Sequence, residues 1–272
     1  MGAVYRKHPK QAHPVPSLSV RTHHPAPGFD PRGLSVDCLL WCRADAGVDE
    51  NGSGVSGWED MSGNGNDFAQ ATASAQPSLD PAAQGGRPGL LFDGSDDEMS
   101  GPDLYGTVTA NDDWTVVVVV CEGWTAGTTG SWYYHGQPAV WTTQPAGWAY
   151  AGFGIPSGTI ARAGFYNGTE YKQADGPSSV AAGEALISAA VCEAGDLTLR
   201  INGEAGSTIA AAGSIQSSAT DITIGKGSDN VSANWTWLDA GISEFLIFDG
   251  ALPEEETAIL ESYLLDRYRI TA

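Results

Sequence analysis

Thr115 to Cys121 reads TVVVVVC, and no other stretch restricts the fold so tightly. Consecutive β-branched side chains are stiff about χ1 and suit an extended backbone, so the run is a strand. A strand with one wet face alternates apolar and polar residues. This one does not alternate, which places it between two covered faces.

Further runs of strand length follow the same pattern: SVDCLLWC, WAYAGFG, TIARAGFY, ALISAAVC, DLTLRI, DITIG and GISEFLIF. Thirty-five glycines and only 17% charged residues suit short strands joined by many turns. Asn202-Gly203 after LTLRI is a two-residue hairpin signal, because a type I′ turn needs φ > 0 at both positions, and its partner strand should begin near Ala205. Strands without intervening helices predict an all-β, two-sheet antiparallel sandwich, and 272 residues fit one such domain.

One helix is expected, over 253–269. Pro253 suits a first turn, Glu254 to Glu256 complement the positive helix end, and Arg267 and Arg269 complement the negative one. Ile259, Leu260, Tyr263, Leu264 and Tyr268 fall at helical spacing and form a stripe that should dock on the sandwich.

Residues 1–33 differ from the rest. They hold six of the 15 prolines and four of the five histidines, so an extended, polyproline-like arm that cannot fold alone is expected there. The formal charge of −20 divides at the same place. Five of the 13 bases (Arg6, Lys7, Lys10, Arg21, Arg32) and one of the 33 acids (Asp30) lie in the arm, leaving the body, 34–272, strongly acidic. Such a body repels nucleic acid and anionic membranes. No apolar run is long enough to insert into a membrane, and the N-terminus lacks the apolar core of a secretion signal, so synthesis in a cytoplasm is expected. Cys38, Cys42, Cys121 and Cys192 stand in apolar contexts without metal-ligand spacing and are expected as free structural thiols.

LLWCRADAGV, GSGVSGWEDMSGNGNDFAQATASAQPSL, GRPGLLFDGSDDEM, LTLRINGE and ISEFLIFDGALPEEETAILESYLLDRYRI, in this order, resemble laminin-G-like domains of the concanavalin A-like superfamily found in bacterial and phage proteins. The resemblance covers roughly 34–272 and implies a jelly-roll sandwich. It also implies that Trp58 to Asp67, WEDMSGNGND, is a recurring loop with Trp58 and the following Phe68 inward. Gly63 and Gly65 permit its tight turns, and Asn64 and Asn66 suit φ > 0.

Catalytic signals are missing. The superfamily's Glu-x-Asp-x-x-Glu strand motif of retaining glycosidases is absent, as is a Gly-x-Ser-x-Gly elbow. His135, the one histidine beyond the arm, sits in WYYHGQP, where a turn or packing role is expected. No cofactor is expected unless calcium is bound. For that cation Asp93, Asp96 and Asp97, joined by loop acids such as Asp60 and Asp67, could gather oxygen ligands. Trp132, Tyr133, Tyr134, Trp141 and Trp148, with Tyr150, form an aromatic group; such rings stack on sugars when exposed and fill a core when buried.

Three functions are therefore weighed. The first is a non-enzymatic virion or particle-surface component, tethered through residues 1–33 to other assembly proteins, and a homo-oligomer if arms are exchanged between copies. The second is a carbohydrate-binding or adhesion module recognising a surface glycan. A glycoside hydrolase or lyase ranks last.

Overall fold

The computed structural model describes residues 28–102, 104, 113–124, 131–136, 150–154, 160–166, 171–181, 183–210, 222–225 and 237–272. Its strands in chain order are β1 (Cys38–Arg43), β2 (Val48–Glu50), β3 (Val55–Trp58), β4 (Phe68–Ala69), β5 (Ser78–Gln84), β6 (Arg87–Asp93), β7 (Met99–Ser100), β8 (Trp114–Val120) and β9 (Ser131–Gly136). Then come β10 (Tyr150–Gly154), β11 (Ile160–Tyr166), β12 (Tyr171–Ser179), β13 (Leu186–Glu193), β14 (Asp196–Ile201), β15 (Glu204–Ala210), β16 (Ile222–Ile224) and β17 (Asp239–Phe248), and after them the helix α1 (Glu254–Tyr268).

The described strands pair antiparallel in two sheets, the expected sandwich. Sheet A runs β15-β14-β13-β8-β17-β6-β5, with β1 also on β17; sheet B runs β12-β11-β10-β9-β16-β7-β4-β3-β2. The valine strand β8 lies inside sheet A, between β13 and β17, and all seven of its residues are buried. Val116, Val118 and Val120 join the core between the sheets, while Val117 and Val119 join Trp41, Ile187, Leu246 and Phe248 beneath α1. Two covered faces explain the lack of alternation.

α1 begins one residue later than the sequence suggests. Pro253 is the N-cap, its carbonyl accepting the Thr257 amide at 2.9 Å, and Glu254, Glu255 and Glu256 fill the first turn. Leu260, Leu264 and Tyr268 face the sheet as expected, with Tyr263 half-buried. The far end is tied down by the β5–β6 hairpin: Gln84 Nε2 donates to the Tyr268 carbonyl at 3.1 Å and Arg87 Nε to the Arg267 carbonyl at 2.9 Å. Arg267 stands in the last turn, as expected, and its head meets Asp45 at 2.6 Å.

The hairpin doublet behaves as predicted, with φ +50° at Asn202 and +89° at Gly203, and β15 starts at Glu204. The expected boundary at residue 33 falls inside a docked segment. Phe29 meets Tyr263 at 4.8 Å between ring centroids, Pro31 is buried, and Ser35 donates its amide and hydroxyl to Glu256 at 2.9 and 2.8 Å. Arg32, grouped with the arm cations, is engaged by its own body. It pairs with Asp30 at 2.6 Å and lies 5.7 Å over the Trp41 ring, because the apolar Phe29 and Pro31 anchor the chain beside it. Arg6, Lys7, Lys10 and Arg21 lie outside the described residues. Among the described residues, no helix is long and apolar enough to cross a membrane.

Candidate functional site

The loop from Trp58 to Asp67 is organised around one carboxylate. Trp58 and Phe68 close its ends, both buried with ring centroids 6.3 Å apart, and Phe68 lies edge-on to Phe245 at 5.9 Å. Asp60 accepts from the amides of Trp41 at 2.9 Å, Ser62 at 2.8 Å and Asn66 at 3.0 Å, and from the Ser62 hydroxyl at 2.6 Å. Asp67 accepts the Asp60 amide at 2.8 Å. Asn64 and Asn66 donate to the β1 carbonyls of Cys38 and Leu39 at 2.7 to 3.0 Å. Gly63 and Gly65 supply the positive φ, +94° and +76°; the asparagines do not adopt it, and contribute side-chain bonds alone. The loop is a clasp on β1. Asp60 and Asp67 are held by amide donors, and neither is in the group of acids whose carboxylate oxygens come together among the described residues.

Asp93, Asp96 and Asp97 do come together, one carboxylate oxygen of each lying within 4.8 Å of the others. A turn after β6 gathers them: Asp93 Oδ1 accepts the Ser95 amide at 2.8 Å, and Asp97 Oδ2 accepts the Asp93 amide at 3.0 Å. Asp97 is buried and the other two are exposed. Burial pushes the Asp97 carboxyl up to about 6; the Asp93 amide opposes this, and the Asp93 and Asp96 charges add to it. Three carboxylates supply fewer than the roughly six to eight oxygens calcium prefers, so waters or other groups would complete a coordination shell.

Of the aromatic group, Trp132, Tyr133 and Tyr134 lie on β9 and Tyr150 opens β10, while Trp141 and Trp148 lie outside the described residues. β9 is an inner strand of sheet B. Tyr134 pairs with Gly152 on one side and Thr223 on the other, and His135, on the same strand rather than in a turn, pairs with Ala151 and Ile222.

Sequence reasoning missed Glu244, an acid inside the apolar strand GISEFLIF and the one visible sign of a buried network. Glu244 is fully buried. Trp41 Nε1 donates to its Oε1 at 2.6 Å and the Tyr268 hydroxyl to its Oε2 at 2.7 Å, with Arg267 Nε 3.4 Å away as an ion pair without hydrogen-bond geometry. Burial raises its pKa against the pull of those two donors. Asp45 receives Arg43 at 2.9 Å and Arg267 at 2.6 Å; burial works the other way, but these guanidiniums hold it below the usual carboxylate range. The network joins β1, β17 and α1. A second tie, Arg200 to Glu261 at 2.9 Å, joins α1 to β14. All four cysteines are buried and none forms a disulfide; burial pushes Cys38 up to about 12, Cys121 to about 11 and Cys42 upward, so these three thiols pack rather than react.

No protein-family model matches the chain, and no curated protein matches its sequence. Solved structures do. Domain 4 of AbnA, a GH43 extracellular arabinanase from Geobacillus stearothermophilus in complex with arabinotriose, aligns with TM-score 0.57 and 16% identity over 83% of this chain and 98% of that one. The binding domain of Paraclostridial mosquitocidal protein 1 aligns with TM-score 0.57 and 10% identity over 82% of this chain and 51% of that one. Botulinum neurotoxin type C, whose cell entry depends on interaction with two ganglioside molecules, aligns with TM-score 0.57 and 13% identity over 84% and 51%. The chain thus spans about half the length of the toxin chains but nearly all of the arabinanase domain. At these identities the shared property is the fold, a two-sheet β-sandwich.

Proposed function

We propose that this protein is a non-catalytic carbohydrate-binding module. The observation that carries the reading is the alignment over 98% of an arabinanase domain solved with arabinotriose, supported by a toxin of the same fold whose entry depends on gangliosides. The sequence agrees in one respect: it lacks the paired-carboxylate strand of the superfamily's hydrolases. The neighbours favour this reading over the virion-component role, and nothing in them supports a place in a particle. The basic arm, residues 1–33, is the reason to expect that the module is tethered to a larger assembly.

A glycan array followed by calorimetry on the hits tests the reading. The expected result is selective binding with Kd in the micromolar to millimolar range, about −4 to −8 kcal/mol, without turnover of the ligand. An empty array, with arabinotriose and ganglioside glycans included, overturns it. Release of shorter products would restore the hydrolase reading.

A further inference from the structure

The paired residues Arg43, Glu244, Val119 and Ile187 form a row across sheet A, on the face that α1 covers. Val119 and Ile187 are apolar and fully buried there, so the one acid in the row is closed off from water. Two elements besides its own strand face it. β1 brings Trp41, whose Nε1 donates to Glu244 Oε1 at 2.6 Å, and the charge of Arg43. α1 brings the Tyr268 hydroxyl, donating to Oε2 at 2.7 Å, and Arg267, with Tyr263 beside it. Asp45 and, from the β5–β6 hairpin, Arg87 at 3.5 Å from it complete the set of charges.

This interface suits a neutral carboxyl better than a charged one. Arg267 is the cation that reaches Glu244, but its head is committed elsewhere: Nη2 donates to Asp45 at 2.6 Å and Nη1 to the Tyr263 hydroxyl at 3.2 Å. Its Nε, 3.4 Å from Glu244 Oε2, is buried and makes no hydrogen bond. An ionised Glu244 is therefore buried with a poorly aimed counter-charge, whereas a protonated one keeps Trp41 and Tyr268 as partners and has no charge to desolvate. Burial raises the Glu244 pKa for this reason, against the pull of Tyr268, Trp41, Arg267 and Arg43. The rest of the network keeps its charge near neutrality. Asp45, despite its burial, is held low by Arg43 and Arg267, burial pushes Tyr263 and Tyr268 further above the ordinary 10, and guanidiniums stay protonated.

We propose that Glu244 is the switch of a pH-sensitive latch that holds the last turn of α1, and through Tyr263 the segment at Phe29, against the sandwich. The latch is closed when Glu244 is protonated. Ionisation draws Arg267 Nε into line with the new charge and away from Asp45 and Tyr263, which loosens the ring on which Phe29 packs at 4.8 Å. Because the folded pKa lies above the ordinary 4.5, the latch contributes fully below about pH 4.5, and its contribution is lost as pH rises through the folded value. Acid thus fastens the segment at Phe29, and higher pH releases it.

The test follows the full chain by NMR from about pH 4 to about pH 9, reading the Glu244 carboxyl carbon, the Trp41 indole Nε1–H and the exchange protection of residues 263–268. Wild type is compared with Glu244→Gln and with Glu261→Gln, which alters the other buried acid of this interface, the partner of Arg200. In wild type both resonances should titrate together above 4.5, and protection should fall by about tenfold over the same range. Glu244→Gln keeps the shape and can hold Trp41 and Tyr268 without a charge, so neither the indole nor the protection should respond to pH. Glu261→Gln should respond as wild type does. Local readouts are needed because Asp97 and Glu261 give the whole molecule a slope of the same sign. A Glu244 titration at or below 4.5 overturns the latch, as does one above 4.5 that leaves protection unchanged. So does a protection slope that persists in Glu244→Gln or vanishes in Glu261→Gln. The wild-type measurements need no variant and decide the matter if Glu244→Gln does not fold.

Discussion

Two aspartates with similar sequence surroundings meet opposite environments. Asp60 is a buried acceptor for three amides and a hydroxyl, so truncation leaves those donors unsatisfied. Asp60→Ala should lower unfolding stability by about 2–4 kcal/mol in urea titrations, whereas an effect below about 0.5 kcal/mol would show that the clasp is dispensable. Asp97 is buried among like charges. With a folded pKa of about 6 against an ordinary 3.8, it binds its proton more tightly in the folded state, so that contribution to stability is complete below about pH 4 and is lost as pH rises through 6. Asp97→Asn should therefore flatten the fall in stability between these values and leave the protein roughly 1–2 kcal/mol more stable at pH 7. A cation held by Asp93, Asp96 and Asp97 would raise Tm on adding calcium in wild type and not in the variant; no calcium effect would identify a plain acidic turn. The acids were visible in the sequence, but the sequence does not distinguish an acid surrounded by amides from one surrounded by acids.

The elements themselves were far more legible. The valine run announced a doubly covered strand, and Asn202-Gly203 announced its hairpin, because both signals act within a few residues. The helix was readable from its stripe and its glutamates, but not how its end is held. That depends on the β5–β6 turn, where Gly85 has φ +59° and a Cβ would collide with the Tyr268 carbonyl, while Gly86, at φ +80°, faces open space. Gly85→Ala should cost about 3 kcal/mol or more and loosen α1, seen as loss of near-ultraviolet dichroism from Tyr268 and Trp41, against about 1 kcal/mol for Gly86→Ala, which bears the backbone cost alone. Equal effects of the two would show that the turn does not clamp the helix.

For the molecule as a whole, the sequence divides by charge into an acidic body and a basic N-terminal stretch, and contacts with the body reach back to Phe29. Phe29, Pro31, Arg32 and Ser35 belong to the body by their contacts. Removing residues 1–27 should leave Tm within about 2 °C of the full chain, whereas removing 1–36 should lower it by about 5 °C or more as the Phe29–Tyr263 and Ser35–Glu256 contacts go. Comparable melting of the two truncations would return the boundary to the place the proline pattern suggests. What the sequence determined alone is the strands its apolar runs announce, β1, β8, β10, β11, β13, β14, β16 and β17, with the hairpin to β15 and the terminal helix, since β-branching, apolar spacing and positive φ are properties of neighbours in the chain. Tertiary structure decided the rest: the burial of Glu244 against Trp41 and Tyr268, the gathering of three aspartates, and the clasp of the Trp58–Asp67 loop on β1. Those arrangements join residues up to about 200 positions apart, as in Trp41 with Glu244, and only the pairing of distant strands fixes which side chains share a face.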